Sequence, residues 1–214
     1  MVGLPHRARP EVAALTSFVA GGELGRPYAV KGSWLIRHVP VNRPTWRQQR
    51  AEGGGALMEF GLPALDMCLW VVGYPQVERL SCHMTYCEHD VEDAAFIMAH
   101  TSNGITMTVE VSNRYYSGDD RQYARVLGTE GSGELPPLEL YKQLGGRPLD
   151  ITPRQPRPQG GENPYMNAYR RQIDTFVRSV RGMSDVKLPE EQVALTRVIE
   201  AAYRSAEEGA EVTL

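Results

Sequence analysis

Residues 53–73 read GGGALMEFGLPALDMCLWVVG, and this stretch is the most informative part of the chain. It begins with three glycines, closes on Gly73 and carries apolar residues at intervals of three to five between them. These positions are Leu57, Phe60, Leu65 and Leu69. Such spacing predicts a helix that turns one apolar face towards a core.

Glu59, Pro63 and Asp66 are the unusual residues of this predicted helix. Because they are spaced i, i+4 and i+7, they share one face of a regular helix, which the apolar positions leave free. A proline inside a helix costs about 3 kcal/mol. The helix is therefore either kinked at Pro63, or regular only from Gly61 and Leu62 onward with Pro63 in its first turn. We favour the second alternative.

The composition excludes several classes of protein. The chain has 214 residues, 42% of them hydrophobic, which is enough for one sizeable core, so we expect a single domain over residues 1–214. The formal charge of −3 gives no basis for nucleic-acid binding. No apolar run approaches the roughly 20 residues that span a bilayer, and no secretory signal is visible. Cys68, Cys82 and Cys87 form no disulfide framework and indicate a cytoplasmic protein.

The rest of the chain predicts an α+β fold. The patterns indicate helices at 10–20, 164–180 and 189–208, and strands at 28–36, 77–86, 94–101, 105–113, 123–128 and 138–141. Residues 145–162 are rich in proline and glycine and predict a mobile surface loop. Strands followed by helices, without βαβ alternation, are typical of α+β proteins. The alternation of apolar and polar residues along 105–113 predicts an antiparallel sheet with one polar face.

The stretch 53–73 resembles the signature helix in the C-terminal domain of the Gfo/Idh/MocA oxidoreductases (glucose–fructose oxidoreductase, inositol dehydrogenase and relatives). The family pattern reads roughly G-G-G-x-L-x-D-x-G-x-H-x-x-D-x-x-x-W-x-x-G. It is matched by Gly53, Gly54, Gly55, Leu57, Gly61, Asp66, Trp70 and Gly73. Glu59 stands where the family has Asp, and Pro63 stands where it has His. Further landmarks are Gly22-Glu23-Leu24-Gly25-Arg26-Pro27, Val91-Glu92-Asp93-Ala94 and Leu127-Gly128-Thr129-Glu130-Gly131, so the resemblance covers nearly the whole chain.

The resemblance implies an open, mainly antiparallel sheet with helices packed on one face. It also implies the substrate-binding and oligomerisation domain of an NAD(P)-dependent oxidoreductase that acts on sugars or cyclitols. In the family, the Asp and His of the signature helix bind substrate hydroxyls and assist proton transfer. Glu59 and Asp66 are therefore predicted to bind substrate, with the alternative that both are structural carboxylates paired with arginines. Pro63 cannot transfer a proton, so we predict no catalytic residue in this chain.

Other candidate substrate-binding residues lie in loops. By resemblance, Arg7, Arg37 and Arg43 face the cleft between the two domains of the family, with a solvated surface role as the alternative. Tyr115, with Tyr116 beside it, follows a strand and is a candidate for stacking on a sugar ring.

A metal site is not predicted. The run that contains Cys82, His83, Cys87 and His89 has the right residue types but not the spacing of structural zinc sites. On a continuous strand, Cys82 points away from the other three side chains.

A dinucleotide site is also not predicted. Family members begin with a Rossmann domain that carries G-x-G-x-x-G and a later lysine, and no such fingerprint opens a helix here. The glycines of 128–133 lead into Glu134-Leu135-Pro136-Pro137, which cannot begin a helix, and they predict a hairpin turn instead. We therefore expect that this chain alone binds neither NAD nor NADP, and that a separate nucleotide-binding chain or domain supplies the cofactor.

Two further expectations follow from the resemblance. Because the family leaves one sheet face uncovered by its own helices, we predict a homo-oligomer through that face, on the premise that the face is apolar. The alternative to an enzyme part is a binding or assembly module without redox chemistry, or a truncated remnant of such an enzyme.

Overall fold

The computed structural model describes residues 2–40, 45–154, 164–184 and 189–214. The helices are α1 (Pro10–Ala20), α2 (Leu62–Val71), α3 (Pro164–Val180) and α4 (Glu190–Glu208), and a π-helical turn (Leu57–Gly61) leads directly into α2. Short 3-10 turns occupy Pro5–Ala8, Trp46–Gln48 and Arg50–Glu52. Within these ranges, no helix combines the length and apolar character needed to cross a bilayer.

Nine strands form one sheet in the described part of the chain. They are β1 (Pro27–Arg37), β2 (Val77–Thr85), β3 (Ala94–Thr101), β4 (Thr106–Tyr115), β5 (Arg121–Gly128), β6 (Gly131–Leu135), β7 (Glu139–Leu144), β8 (Arg147–Asp150) and β9 (Val212–Thr213). Their order in the sheet is β8-β7-β6-β5-β1-β4-β3-β2-β9. β1 and β4 run parallel and the other neighbours run antiparallel. The predicted α+β fold with a mainly antiparallel open sheet is confirmed.

Helices α1, α2 and α4 cover one face of the sheet. The Cβ that any other residue would add at Gly32, in the middle of β1, would lie 2.5 Å from Cys68 Sγ, so the absence of a side chain lets α2 approach the sheet. At Gly133 of β6, an added Cβ would lie 2.5 Å from Leu15 Cδ1 of α1. Towards the other end of the sheet, the Ser205 hydroxyl of α4 accepts a hydrogen bond from the Cys82 backbone N–H of β2 at 2.9 Å. The predicted packing of helices on one face is thus confirmed, with the hydrophobic core between the two layers.

The opposite face of the sheet is mixed in character rather than apolar. On β3, Phe96 and Met98 are about half exposed, while the residues between and beside them are buried. Their partners in register on β4 are Glu110 and Thr108. The premise of an apolar open face is therefore wrong, because polar residues of β4 lie beside the apolar residues of β3 on that face.

Three strands escaped the sequence analysis: β9 has only two residues, and glycines or prolines obscured the other two, β6 and β8. β6 begins at Gly131, where an added Cβ would lie 2.4 Å from the Tyr141 carbonyl oxygen of β7. Such glycines weaken a strand pattern but permit close approach of neighbouring backbones. β8 lies within the predicted loop 145–162, which also extends beyond the described residues. The turn between Gly128 and Gly131 joins antiparallel strands, as predicted.

Candidate functional site

Glu92 fixes the start of the signature helix. Its Oε1 accepts hydrogen bonds from the Leu57 backbone N–H at 2.8 Å and from the Tyr203 hydroxyl at 3.0 Å, and its backbone carbonyl accepts from the Ala56 N–H at 2.9 Å. Burial raises the pKa of this carboxyl. Gly55 has φ +120°, and a Cβ there would lie 2.3 Å from Glu92 Oε1. Gly55 and Glu92 therefore pack directly against each other, and a larger residue at position 55 would not fit.

The turn before α2 is wider than an α-helical turn. The Leu62 backbone N–H donates to the carbonyl of Leu57, five residues earlier, and Pro63 occupies the first turn of α2. The prediction that the regular helix begins near Leu62 is confirmed. The prediction that Glu59 and Asp66 share one face is wrong, because Glu59 lies within the wide turn, where the regular α-helical spacing does not hold. Glu59 lines a cleft, whereas Asp66 lies in the interior.

Asp66 is the centre of a buried polar network. Its carboxylate is fully buried and accepts hydrogen bonds from His6 Nε2 at 2.6 Å, from the Tyr74 hydroxyl at 3.0 Å, and from two nitrogens of the Arg7 guanidinium. Arg7 also donates to Glu191 of α4 at 2.5 Å, and its guanidinium lies 4.2 Å from the centre of the Trp70 ring. This network ties α2 to the segment before α1 and to α4.

The electrostatics of the network agree with its geometry. Burial alone would raise the pKa of Asp66, but hydrogen bonds and positive charge from Arg7 and His6 lower it below its ordinary value. The pKa of Arg7 is raised, since its bonds to Asp66 and Glu191 outweigh the effect of burial. Of the two roles considered for Asp66, pairing with an arginine is the one that this geometry matches.

A cleft of about 420 Å³ lies at the end of β1, beside the wide turn. Its charged lining residues are Arg37, Arg47, Glu59, Glu88, Asp93 and Arg114. Its neutral polar and histidine side chains are His38, Gln48, His89 and Asn113, and Ile36, Val39, Pro40, Phe60 and Val91 form its apolar part. A lining that combines several polar groups with apolar side chains is typical of small-molecule sites.

Ion pairs organise the charges of the cleft. Glu59 accepts a hydrogen bond from Arg47 Nε at 2.5 Å, and Arg47 stacks on Trp46 at 4.5 Å from the ring centre. Arg114 donates to Glu88 at 3.0 Å, and this bond lowers the pKa of Glu88. Arg37 differs, because its guanidinium has no hydrogen bond or ion pair among the described residues, while its backbone N–H donates to Asp120 Oδ1 at 2.7 Å.

The structure separates the predicted site residues into two groups. Glu59 and Arg37 lie together in the cleft, whereas Asp66 and Arg7 lie together in the buried network. Tyr115 pairs with Arg37 across β1 and β4 but does not line the cleft. The neighbouring Tyr116 is exposed, and its ring centre lies 5.1 Å from that of His38 on the rim. Arg43 lies outside the described residues.

Sequence analysis missed Arg47 and Arg114 as cleft residues. Asn113 and Arg114 lie close to the end of β4, the position where functional side chains often collect, so a signal for them was present. Arg47 gave no such signal, because it lies in a polar stretch of the sequence. The capped turn Trp46–Gln48, which contains Arg47, places it at the cleft.

Neither a metal site nor a phosphate cradle was found in the ranges that the structure describes. No group of three or more His, Cys, Asp or Glu residues there could hold a metal ion. The loop after Gly128 joins β5 to β6 rather than opening a helix, so it lacks the helix N-terminus that binds a dinucleotide phosphate.

Comparison with known proteins identifies the family. The sequence model for the oxidoreductase family, C-terminal alpha/beta domain (GFO_IDH_MocA_C), matches residues 17–214. The chain belongs to the Gfo/Idh/MocA oxidoreductase family. The match covers the sheet, the signature helix and both C-terminal helices.

Two curated relatives of this Gfo/Idh/MocA chain are informative. The D-glucoside 3-dehydrogenase of Escherichia coli K12 is 23% identical over 98% of this chain, and the rhizopine catabolism protein MocA of Rhizobium meliloti is 27% identical over 85% of it. This chain spans only 63% and 51% of the lengths of these two relatives, of which it matches the C-terminal part.

Solved structures show the same fold. The apo form of levoglucosan dehydrogenase superposes with a TM-score of 0.86 at 20% identity, covering all of this chain and 66% of that one. GenD2 from gentamicin A biosynthesis, in complex with NAD, superposes with a TM-score of 0.80 at 23% identity, covering 99% of this chain and 62% of that one.

Proposed function

We propose that this chain is the substrate-binding domain of an NAD(P)-dependent oxidoreductase acting on sugars or cyclitols, and that it is not catalytic on its own. The observation that carries the proposal is Glu59. It occupies the family's carboxylate position on the signature helix and faces a cleft of a size suited to one sugar ring. Relatives with sugar and inositol dehydrogenase names support the substrate class.

The cleft offers complementary groups for a polyol. The Glu59 carboxylate accepts hydrogen bonds from sugar hydroxyls, and its hydrogen bond from Arg47 Nε orients it. The Arg37 guanidinium has donors available, and Asn113 supplies both a donor and an acceptor. Phe60 gives an apolar surface for the C–H face of a ring. These groups bind and orient the substrate without transferring a proton.

The cofactor belongs to another part of the proposed enzyme. A nicotinamide held by a separate nucleotide-binding domain supplies the hydride chemistry when bound. The described loop after Gly128 joins two strands and does not open a helix, so it offers no helix N-terminus to a dinucleotide phosphate. Free Cys68, Cys82 and Cys87 suit a reducing cytoplasm as the proposed location.

Calorimetric titration of the 214-residue chain with myo-inositol, D-xylose and methyl β-D-glucoside tests the proposal. We expect binding of at least one ligand, and a 10- to 100-fold loss of affinity in Glu59→Ala, since a hydrogen bond to a charged group contributes about 1.5–3 kcal/mol. Glu23→Ala is the matched control. It removes an exposed carboxylate paired with Lys142 at 3.0 Å, before the start of β1 and away from the cleft. Equal affinity of Glu59→Ala and wild type, or binding of none of the ligands, would refute the proposal.

A binding or assembly module without redox chemistry is the second candidate, and Pro63 favours it. This residue stands where the family has a histidine, and it has no group that accepts or donates a proton. The two candidates differ in whether turnover appears once a nucleotide-binding domain is joined to the chain.

We also propose that copies of this domain associate through the open face of the sheet. The support is the pair of exposed apolar side chains on β3, Phe96 and Met98, surrounded by charges of both signs such as Lys31 and Glu110. Sedimentation velocity at tens of micromolar is expected to show an oligomer that Met98→Glu dissociates. A wild-type chain that sediments as a monomer would contradict this.

A further inference from the structure

Two arginines of the cleft lie beside its carboxylates. Arg47 donates to Glu59 at 2.5 Å. Arg114 donates to Glu88 at 3.0 Å, and its Nη1 lies 3.9 Å from Asp93 Oδ1. Each carboxylate that lines the cleft therefore has an arginine next to it, and a ligand meets ion pairs at these positions rather than free negative charges.

Arg37, at the end of β1, carries a positive charge without such a partner. Its side chain is exposed and lines the cleft, and its guanidinium makes no hydrogen bond or ion pair within the described ranges. Asp120 accepts from the Arg37 backbone N–H at 2.7 Å. Residues 41–44, which the structure does not describe, read VNRP and contain no carboxylate. The five N–H donors of the Arg37 guanidinium are thus available to a ligand.

A carboxylate is the group that best complements a single free guanidinium. The planar fork of an arginine donates two parallel hydrogen bonds to the two oxygens of a carboxylate. The single positive charge of the arginine also matches the single negative charge of the carboxylate. A neutral hydroxyl satisfies only part of this donor set and leaves the charge of Arg37 without a counterpart.

A phosphate ester fits this position less well. It carries a charge of about −1.5 to −2 at neutral pH, and it is commonly held by the free backbone N–H groups at the start of a helix. In the wide turn before α2, the Leu57 N–H already donates to Glu92 at 2.8 Å. In the turn Trp46–Gln48, the Arg47 N–H already donates to Thr45 Oγ1 at 3.3 Å. These helix-start donors beside the cleft are therefore occupied.

We propose that the sugar or cyclitol bound in the cleft carries a carboxylate, as a uronic acid does, and that Arg37 selects it. The inference rests on the proposed function, since it names the class of substrate for the same cleft. The ring lies against Phe60 with hydroxyls towards Glu59, and the carboxylate pairs with Arg37 at the end of β1. Arg37 binds the substrate and takes no part in proton transfer.

Calorimetric titration of the 214-residue chain with D-glucuronate and D-xylose tests the inference, because the two pyranoses differ only in the carboxylate on C5. D-galacturonate and L-arabinose form a second pair of this kind, and D-glucose controls for the size of the C5 substituent. We expect the uronate of at least one pair to bind tenfold or more tightly than its neutral counterpart, since a hydrogen bond to a charged group changes affinity by about 10- to 100-fold. Added salt should reduce this preference, because it screens the charge of Arg37.

Three variants assign the preference to its residue. Arg37→Gln is expected to bring the affinities for the uronate and its neutral counterpart to within about twofold of each other. Arg37→Lys keeps the charge without the planar fork and should retain part of the preference. Arg197→Gln is the matched control, because it removes an exposed arginine of α4 that does not line the cleft, and it should leave the preference unchanged.

Three results would overturn the inference. The first is equal wild-type affinity for the uronate and the neutral sugar in both pairs. The second is an equal loss of the preference in Arg37→Gln and Arg197→Gln. The third is binding of D-glucose 6-phosphate that is tighter than that of either uronate and depends on Arg37, which would assign the position to a phosphate.

The same titrations separate this inference from the proposed function. Neutral sugar binding that weakens in Glu59→Ala, without a preference for either uronate, refutes the inference alone. Acetate binding as tight as that of the uronates, and lost in Arg37→Gln, would show an anion site without a sugar site and would refute the proposed function.

Discussion

Asp66→Asn tests whether the buried network holds the domain together. Asparagine keeps the shape of the side chain and one acceptor oxygen, but it removes the charge that faces His6 and Arg7. Breaking a buried ion pair from one side typically costs 3–5 kcal/mol, because the remaining charge stays buried. Arg7 keeps Glu191 and the Trp70 ring as partners, so we expect the lower end, a loss of about 3 kcal/mol.

The pH dependence has a definite sign. The folded-state pKa of Asp66 lies below its ordinary value of 3.8, so folding favours the ionised form. The network therefore contributes its full stability above that ordinary value and loses it as the pH falls through the lower, folded-state pKa. The difference in unfolding free energy between wild type and Asp66→Asn should be largest near neutral pH and should shrink below about pH 4.

Urea unfolding followed by tryptophan fluorescence measures this difference. If the unfolding free energy falls by about 3 kcal/mol per M of urea, a variant that loses about 3 kcal/mol of it has its unfolding midpoint lowered by about 1 M. Asp119→Asn, at an exposed position, is the control and should change the unfolding free energy by less than about 0.5 kcal/mol. A loss below about 1 kcal/mol in Asp66→Asn, or a difference that grows on acidification, would refute the reasoning.

Four other predictions concern the signature helix and the cofactor. Glu92→Ala should destabilise the domain by about 2–3 kcal/mol in thermal unfolding, because it leaves the Leu57 N–H and the Tyr203 hydroxyl without their acceptor, whereas Glu92→Gln should cost less than about 1 kcal/mol. Gly55→Ala should lower the unfolding free energy by about 1–3 kcal/mol, because residue 55 has a positive φ and an added Cβ would clash with Glu92. Wild-type stability of that variant would contradict the packing argument. In a fusion with a competent nucleotide-binding domain, Pro63→His should raise polyol turnover by about 10²-fold or more, and equal, substantial turnover with proline would show that catalysis does not depend on this position. The chain alone should bind neither NAD nor NADP, and micromolar affinity for either in calorimetry would contradict this.

Sequence patterns predicted the four α-helices and six of the nine strands of the described residues. The periods of 3.6 and 2 placed α1, β3 and α3 at the residues where the structure has them, because these periods reflect which side chains of a local segment meet a core. Pro63 correctly located the start of the regular part of α2, since a proline is compatible only with the first turn of a helix. The resemblance carried by the signature helix then indicated the family.

The different locations of the two carboxylates depend on tertiary contacts. Asp66 finds its partners 59 and 60 residues away, and the turn that carries Glu59 is anchored by Glu92, 35 residues from Leu57. The wide turn Leu57–Gly61 departs from the regular helical period, and Glu59 within it lines the cleft while Asp66 lies in the interior. Local spacing fixes positions along one helix, but burial and charge pairing depend on which distant segments pack against it.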